Sequence, residues 1–388
     1  MNGGGGVSAA SSVGCASDVP RLGSLRRIAV FRALQLGDMM CVVPALRALR
    51  RAAPQAWITL IGLPWARDFA HRFRHYVDDF MAFPGFPGMP ETKPDLPALS
   101  RFLTDARYRR FDLAIQLHGD GSLSNPVAGL LGARRQAGFY AAGNWCPDPA
   151  ICPAWGEPEH EVRRYLRLMQ WLGDGDGDGG NYADTALEFP FEPLDHAALA
   201  ELGALVPLPP PGSYACIHAG ARMRSRRWPA ERFAQVADGL AARGWRIVLT
   251  GGPDEYAIAA DVRRHMAAPA LDLCGRTTLG ALALLVSHSA LLVSNDTALS
   301  HVAAATGTPS VIVCSGADPE RWAPLDRARH RVMAAPAPCR PCGFETCPIG
   351  HPCALDVSAA QVLEAAVELG LADPDGAQGV NLAPSAVP

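Results

Sequence analysis

Two consecutive series of short β-rich runs, each interleaved with helical patterns, predict an α/β chain made of two doubly wound, Rossmann-like units. Runs 27–31, 57–61 and 111–117 make the first series; runs 214–218, 246–250, 290–294 and 310–314 make the second. Pro207, Pro209, Pro210 and Pro211 interrupt the pattern between them and mark the boundary. At 388 residues the chain exceeds one ordinary core, which agrees with two domains.

In chain order, residues 1–25 are rich in Gly, Ser and Ala without periodicity and read as a flexible leader. Residues 26–205 form the first domain. Its opening strand runs into Arg32-Ala33-Leu34-Gln35-Leu36-Gly37-Asp38, then a helical pattern over 44–53. The stretch 80–99, dense in Pro and Gly, reads as a surface loop near a cleft. Residues 173–181 imitate the start of a calcium loop, but Thr185 stands where a bidentate Glu is required, so they read as a flexible acidic loop. Residues 206–357 form the second domain, with a cysteine-rich segment at 339–353; 358–371 read as a final helix and 372–388 as a flexible tail.

Composition narrows the function classes. Hydrophobic content of 49%, charged content of 19% and a net charge of -3 describe a globular chain with no basic excess for nucleic acid. No apolar run reaches the roughly 18–20 residues that span a bilayer, and residues 1–20 lack the basic start and apolar block of a signal peptide, so a cytoplasmic location is expected. Eleven cysteines in a chain this long do not make a small secreted disulfide framework.

Strand-to-helix turns carry the candidate chemistry, because ligands of parallel sheets bind beyond the carboxyl ends of the strands. In 291–309 a buried strand meets a polar turn and a helix start. There Asp296, Thr297, Ser300 and His301 surround unpaired N–H groups suited to a phosphate. His218-Ala219-Gly220-Ala221-Arg222-Met223-Arg224-Ser225-Arg226-Arg227-Trp228-Pro229 places four arginines in one such loop, a match for pyrophosphate oxygens or a solvated basic loop. In Thr250-Gly251-Gly252-Pro253-Asp254-Glu255 the glycines admit a ligand and Glu255 suits ribose hydroxyls or a helix start. Asp38 has two readings, a helix N-cap and a general base. Neither G-x-G-x-x-G nor a P-loop follows any strand, which counts against hydride transfer and ATP hydrolysis. Cys339, Cys342, Cys347 and Cys353, with His351 nearby, have the spacing of a structural zinc site and equally of reduced or disulfide-bonded thiols.

Several of these motifs, in order, resemble glycosyltransferase family 9, the ADP-heptose:lipopolysaccharide heptosyltransferases. They are Leu36-Gly37-Asp38 with Pro44, Arg226-Arg227-Trp228-Pro229, Gly251-Gly252-Pro253-Asp254-Glu255, Cys274-Gly275-Arg276-Thr277-Thr278-Leu279, and Asn295-Asp296-Thr297 with His301 and Gly307-Thr308-Pro309. The resemblance runs from about Arg27 to Leu371, and the terminal cysteines look like those of the heptosyltransferase II branch. It implies a GT-B fold and inverting transfer without a catalytic metal. The implied donor is ADP-heptose and the implied acceptor a lipid-linked saccharide of the lipopolysaccharide core, with peripheral contact at the inner face of the inner membrane.

By the same resemblance Asp38 is the base and Arg226, in place of the family's usual Lys, neutralises the pyrophosphate. Glu255 contacts the ribose, Thr277 lies near the adenine, and Asp296, Thr297, Ala298, Ser300 and His301 hold the phosphates and sugar. Gly37, His118 and Ser122 fall on the acceptor side. Ala298 replaces a usual Gly, and the loop 118–124 lacks the Lys-Ser often found there. A catalytically silent nucleotide-sugar binder would keep the C-terminal set but would not need Asp38.

Overall fold

A computed structural model describes residues 21–156, 158–173 and 183–369. Five strands form the first sheet: β1 (Arg27–Phe31), β2 (Trp57–Gly62), β3 (Asp79–Ala82), β4 (Leu113–Gln116) and β5 (Arg135–Gly138). Six form the second: β6 (Tyr214–His218), β7 (Arg246–Leu249), β8 (Ala270–Asp272), β9 (Leu291–Asn295), β10 (Ser310–Val313) and β11 (His330–Met333). Their orders are β3-β2-β1-β4-β5 and β11-β10-β9-β6-β7-β8, and every described pair is parallel.

The central strands β1, β4, β6 and β9 are apolar through their middles, with polar residues only at their ends, because helices cover both faces. In β1, Ile28 and Val30 pack into one core while Ala29 and Phe31 pack into another on the opposite face. In β9, Leu292 joins one core, and Leu291 and Val293 the other. The register pairs Val30 with Leu60 and Ile115, and Ile217 with Leu249 and Val293, so the carboxyl ends of neighbouring strands lie level.

Strand order decides where the site lies. The chain goes one way from β1 to β2 and the other way to β4; β6 is likewise flanked by β7 and β9. A crevice opens at such a switch point, beyond the strand ends. Asp38 and His118 follow β1 and β4, whereas Arg226 and Asp296 follow β6 and β9.

Some segments depart from expectation. The leader ends earlier than residue 25, because Leu22–Ser24 forms a 3-10 turn and Leu22 is fully buried; residues 1–20 lie outside the described residues. The imitation calcium loop also lies outside them, except for Gly173. Pro193–Leu205 forms a helix tied to the first unit by two Arg72–Asp195 hydrogen bonds of 2.5 and 3.0 Å. That same Asp195 carboxylate lies against Gly280 of the second unit. The final helix, Ala359–Glu368, packs on the second unit through Val362 and Ala366, with Leu363 over Gly239; 370–388 lie outside the described residues.

Candidate active site

The two switch crevices face one another across a cleft of about 580 Å³. Gly37 and Asp38 line it from the first unit; Arg226, Glu255, Asp296, Thr297, Ala298 and His301 line it from the second. The units come close here because Gly37 has no side chain. A β-carbon on it would lie 3.2 Å from the His301 ring and 3.4 Å from the Ala298 α-carbon.

Asp38 sits in the first turn of the short helix Leu36–Met40, whose N-cap is Gln35, so the capping reading of Asp38 does not hold. Beneath it lies Arg32, fully buried, which donates to the Asp38 main-chain carbonyl from Nε at 3.0 Å and Nη2 at 2.6 Å. Burial raises the Asp38 carboxyl above its ordinary value; Arg32 opposes this and the buried Glu161 adds to it. A carboxylate held near a cation yet costly to ionise suits proton abstraction near neutral pH.

Across the cleft, Thr297 is the N-cap of Ala298–Thr306, a helix stopped by Gly307 in the left-handed conformation at φ 73°. Thr297 makes no capping bond, and its Oγ1 is shut off from solvent with no hydrogen-bond partner. The Nε of Arg226 is in the same condition. Two orphaned polar groups beside a helix N-terminus make a binding locus for an anion. Burial raises Asp296 as well, and Arg226 opposes the shift.

The four arginines have different tasks. Arg222 and Arg226 line the cleft, and Arg224 is exposed. Arg227 ties the loop to itself, donating from Nε to the Ala221 carbonyl at 2.7 Å. The turn is held from below by Asn295, whose Oδ1 accepts the Trp228 N–H at 2.9 Å and whose Nδ2 donates to the Ala219 carbonyl at 2.8 Å. Sequence reading included Asn295 in a motif without seeing this bracing role.

Glu255 accepts the Gly252 N–H at 2.7 Å and lies over Gly220, where a β-carbon would stand 2.0 Å from its Oε1. His301 is buried, and desolvation pushes its imidazole down to about 4, so it is neutral at physiological pH. Ser300 and Thr277 do not line the cleft. The Ser300 hydroxyl instead donates to the Thr297 carbonyl at 2.7 Å and shapes the turn. Of the acceptor-side residues, neither His118 nor Ser122 lines the cleft: His118 is buried, and Ser122 is exposed, with its hydroxyl accepting Asn144 Nδ2 at 2.7 Å.

The family model for glycosyltransferase family 9 (heptosyltransferase) matches residues 104–352, more than half of the chain. The chain belongs to glycosyltransferase family 9. Lipopolysaccharide heptosyltransferase 3 of Escherichia coli K12 is 32% identical over 168 residues, which are 42% of this family 9 chain and 46% of that relative. The chain thus spans under half the length of that curated relative. Among solved structures, a family 9 glycosyl transferase from Veillonella parvula superposes with a TM-score of 0.72 at 23% identity, covering 90% of this chain and 98% of the other. The E. coli ADP-heptose lipopolysaccharide heptosyltransferase II superposes with 0.67 at 20% identity, covering 89% and 98%. These likenesses give the family 9 chain the GT-B fold.

One expectation is corrected. Cys339, Cys342, Cys347 and Cys353 are free thiols, and no group of three or more His, Cys, Asp or Glu among the described residues is placed to hold a metal ion, so the zinc reading is not supported. In this family 9 chain the segment instead props up the arginine turn. The Ser225 N–H donates to the Glu345 carbonyl at 2.9 Å, and His351 Nε2 donates to the Ser225 carbonyl at 2.8 Å. Arg340 anchors the segment to the end of β10, donating to the Cys314 and Ser315 carbonyls at 3.0 and 2.9 Å.

Proposed function

We propose that this chain is an inverting glycosyltransferase that moves a heptose from ADP-heptose to a lipid-linked acceptor of the lipopolysaccharide core. The observation that carries this reading is the pairing, across one cleft, of a raised carboxyl at Asp38 with the unsatisfied Arg226 Nε and Thr297 Oγ1. A base on one wall and an anion-binding turn on the other are what displacement of a diphosphate by a hydroxyl requires.

Asp38 takes the proton of an acceptor hydroxyl as that oxygen attacks the anomeric carbon, and the bond from this carbon to the ADP oxygen breaks on the opposite face. Arg226 and the N–H groups at the start of Ala298–Thr306 receive the charge that grows on the leaving diphosphate. Glu255 accepts ribose hydroxyls, and the neutral His301 lies beside the transferred sugar. Thr277 would reach the adenine only from beyond the cleft lining. No step uses a catalytic metal. On this reading the chain works in the cytoplasm, in peripheral contact with the inner face of the inner membrane. Among the described residues no helix is long and apolar enough to cross a membrane.

Ala298 favours a second reading, transfer from another nucleotide sugar, because its β-carbon stands where the family usually has Gly. Calorimetric titration with ADP, UDP, GDP and their sugar conjugates separates the two. Preferential binding of ADP-heptose, followed by ADP release on adding core acceptors, supports heptosyl transfer. Preference for another conjugate moves the donor, and no binding to any conjugate removes the transferase reading.

A further inference from the structure

Glu91 comes from the Pro- and Gly-rich stretch between β3 and the helix Leu96–Tyr108. Its Oε1 lies 3.2 Å from His118 Nε2, on the loop that follows β4. The other His118 ring nitrogen, Nδ1, accepts the Ala33 N–H at 3.2 Å, so Nε2 carries the proton and donates to Glu91. The imidazole also stacks on Phe31, with ring centroids 5.4 Å apart and planes 18° from parallel. Glu91 is thereby fastened, through one rigid ring, to the strand that leads into Asp38.

Its second oxygen has no such partner. Glu91 Oε2 is shut off from bulk solvent and makes no hydrogen bond. Burial by itself would raise this carboxyl, but the His118 bond, the residue's own main-chain N–H and the charge of Arg222 outweigh it and hold it below its ordinary value. Glu91 is therefore an anion at neutral pH with a free acceptor. Leaving such a group unsatisfied is costly unless a ligand completes it. Arg222 lines the donor cleft from the second unit and acts on Glu91, while His118 acts on both Glu91 and Asp38. Arg32 donates to the main-chain carbonyls of both Asp38 and Leu117, so His118 and the Glu91 it holds lie at the carboxyl ends of β1 and β4, next to the turn that carries the base, and Glu91 is not part of the cleft lining shared with the donor side.

We propose that Glu91 determines acceptor specificity: its Oε2 accepts a hydrogen bond from a hydroxyl of the acceptor sugar adjacent to the attacking one, with His118 holding the carboxylate in place. This rests on the transferase reading above. The ligand class at this point is an uncharged, hydroxyl-bearing sugar ring. A phosphate or carboxylate in the same place would meet a fixed negative charge, and a deoxy carbon would leave the carboxylate oxygen unpaired.

The test uses the full chain, ADP-heptose, and a methyl heptoside acceptor together with its set of monodeoxy analogues. Wild type is expected to lose about 10- to 100-fold in kcat/KM on one monodeoxy analogue, the range for a hydrogen bond to a charged group. Glu91→Ala should lose a similar factor on the parent heptoside and treat that analogue and the parent alike, with its KM for acceptor raised and its calorimetric Kd for ADP-heptose unchanged. Glu91→Gln, which keeps the shape and removes the charge, should fall between them. If Glu91→Ala stays within about twofold of wild type on the parent acceptor, or if every analogue suffers equally in both proteins, the role of Glu91 is overturned while the transferase reading stands. If wild type releases no ADP with any acceptor, the transferase reading falls and takes this role with it.

Discussion

Asn295 holds Trp228 in place: its Oδ1 accepts the Trp228 N–H at 2.9 Å while its amide donates to the Ala219 carbonyl at 2.8 Å. One buried side chain at the end of β9 thus closes both ends of the arginine loop. Asn295→Ala would leave an N–H and a carbonyl unpaired inside the protein. Unfolding free energy should drop by about 1–3 kcal/mol, read by denaturant titration, and ADP should bind more weakly. Unchanged ADP affinity would separate this brace from the anion site.

Asp38→Asn should reduce turnover by about 10²- to 10⁴-fold and leave the ADP-heptose Kd close to wild type. The same variant makes a stability prediction with a definite sign. Burial raises the folded-state carboxyl above its unfolded value. The favourable contribution of this group is therefore complete below the unfolded pKa and is lost as pH rises through the folded one. Asp38→Asn should accordingly melt higher than wild type at neutral pH, with the advantage shrinking as the pH falls and wild-type Asp38 protonates. A lower Tm at neutral pH would contradict the burial argument.

Arg226 and Arg227 are neighbours with separable roles. Arg226→Ala should weaken ADP binding by about 10- to 100-fold, because its guanidinium faces the cleft with Nε unpaired. Arg227→Ala removes the 2.7 Å bond to the Ala221 carbonyl and should act mainly on stability. Calorimetry with ADP and thermal melts of both variants decide between these roles.

Gly220→Ala probes Glu255 without touching it. The added methyl would stand 2.0 Å from the Glu255 Oε1, so the flexible carboxylate end must move while the backbone stays. ADP affinity should fall with little change in Tm, whereas affinity for a ribose-free pyrophosphate probe should hold. Equal losses for both ligands would remove Glu255 from the ribose.

Glu161 couples the two units: its buried carboxylate accepts Arg321 Nε at 2.6 Å from the neighbouring unit and lies 3.8 Å from Arg164 Nε. Glu161→Ala removes the buried carboxylate that Arg164 and Arg321 share, leaving Arg164 its main-chain partners at Trp155 and Glu159, and should cost about 3 kcal/mol of unfolding free energy. Replacement by Gln, which retains one acceptor, should cost less. Denaturant titration of both variants checks the order.

The seven strands legible in the sequence are the inner strands of the two sheets, and the four that were not legible are their edges. Asp79–Ala82, Arg135–Gly138, Ala270–Asp272 and His330–Met333 each pair on one side only. An edge strand needs neither an apolar run nor length, and Ala270–Asp272 is half-buried throughout. At the site, Asp38, Arg226, Glu255, Asp296, Thr297 and His301 were legible because each follows a recognisable strand in a motif of the family. The Glu91–His118 contact was not legible, since nothing in the Pro- and Gly-rich surroundings of Glu91 points to a buried partner. Ser300 had the right position in sequence, but its hydroxyl turned inward to the Thr297 carbonyl.

The sequence by itself determined two doubly wound units, their inner strands and the polar turns beyond them. Strand and helix signals act between residues a few positions apart, so local pattern expresses them directly. Only the tertiary structure decided which groups meet. Glu91 and His118 are 27 residues apart, Trp228 and Asn295 are 67, and Ser225 and His351 are 126. Such pairs form when packed sheets bring distant turns level, and no local spacing encodes them. For the same reason the cysteine segment, whose spacing suggested a metal, came to support an arginine turn, because its contacts were set by the end of the second sheet on which it packs.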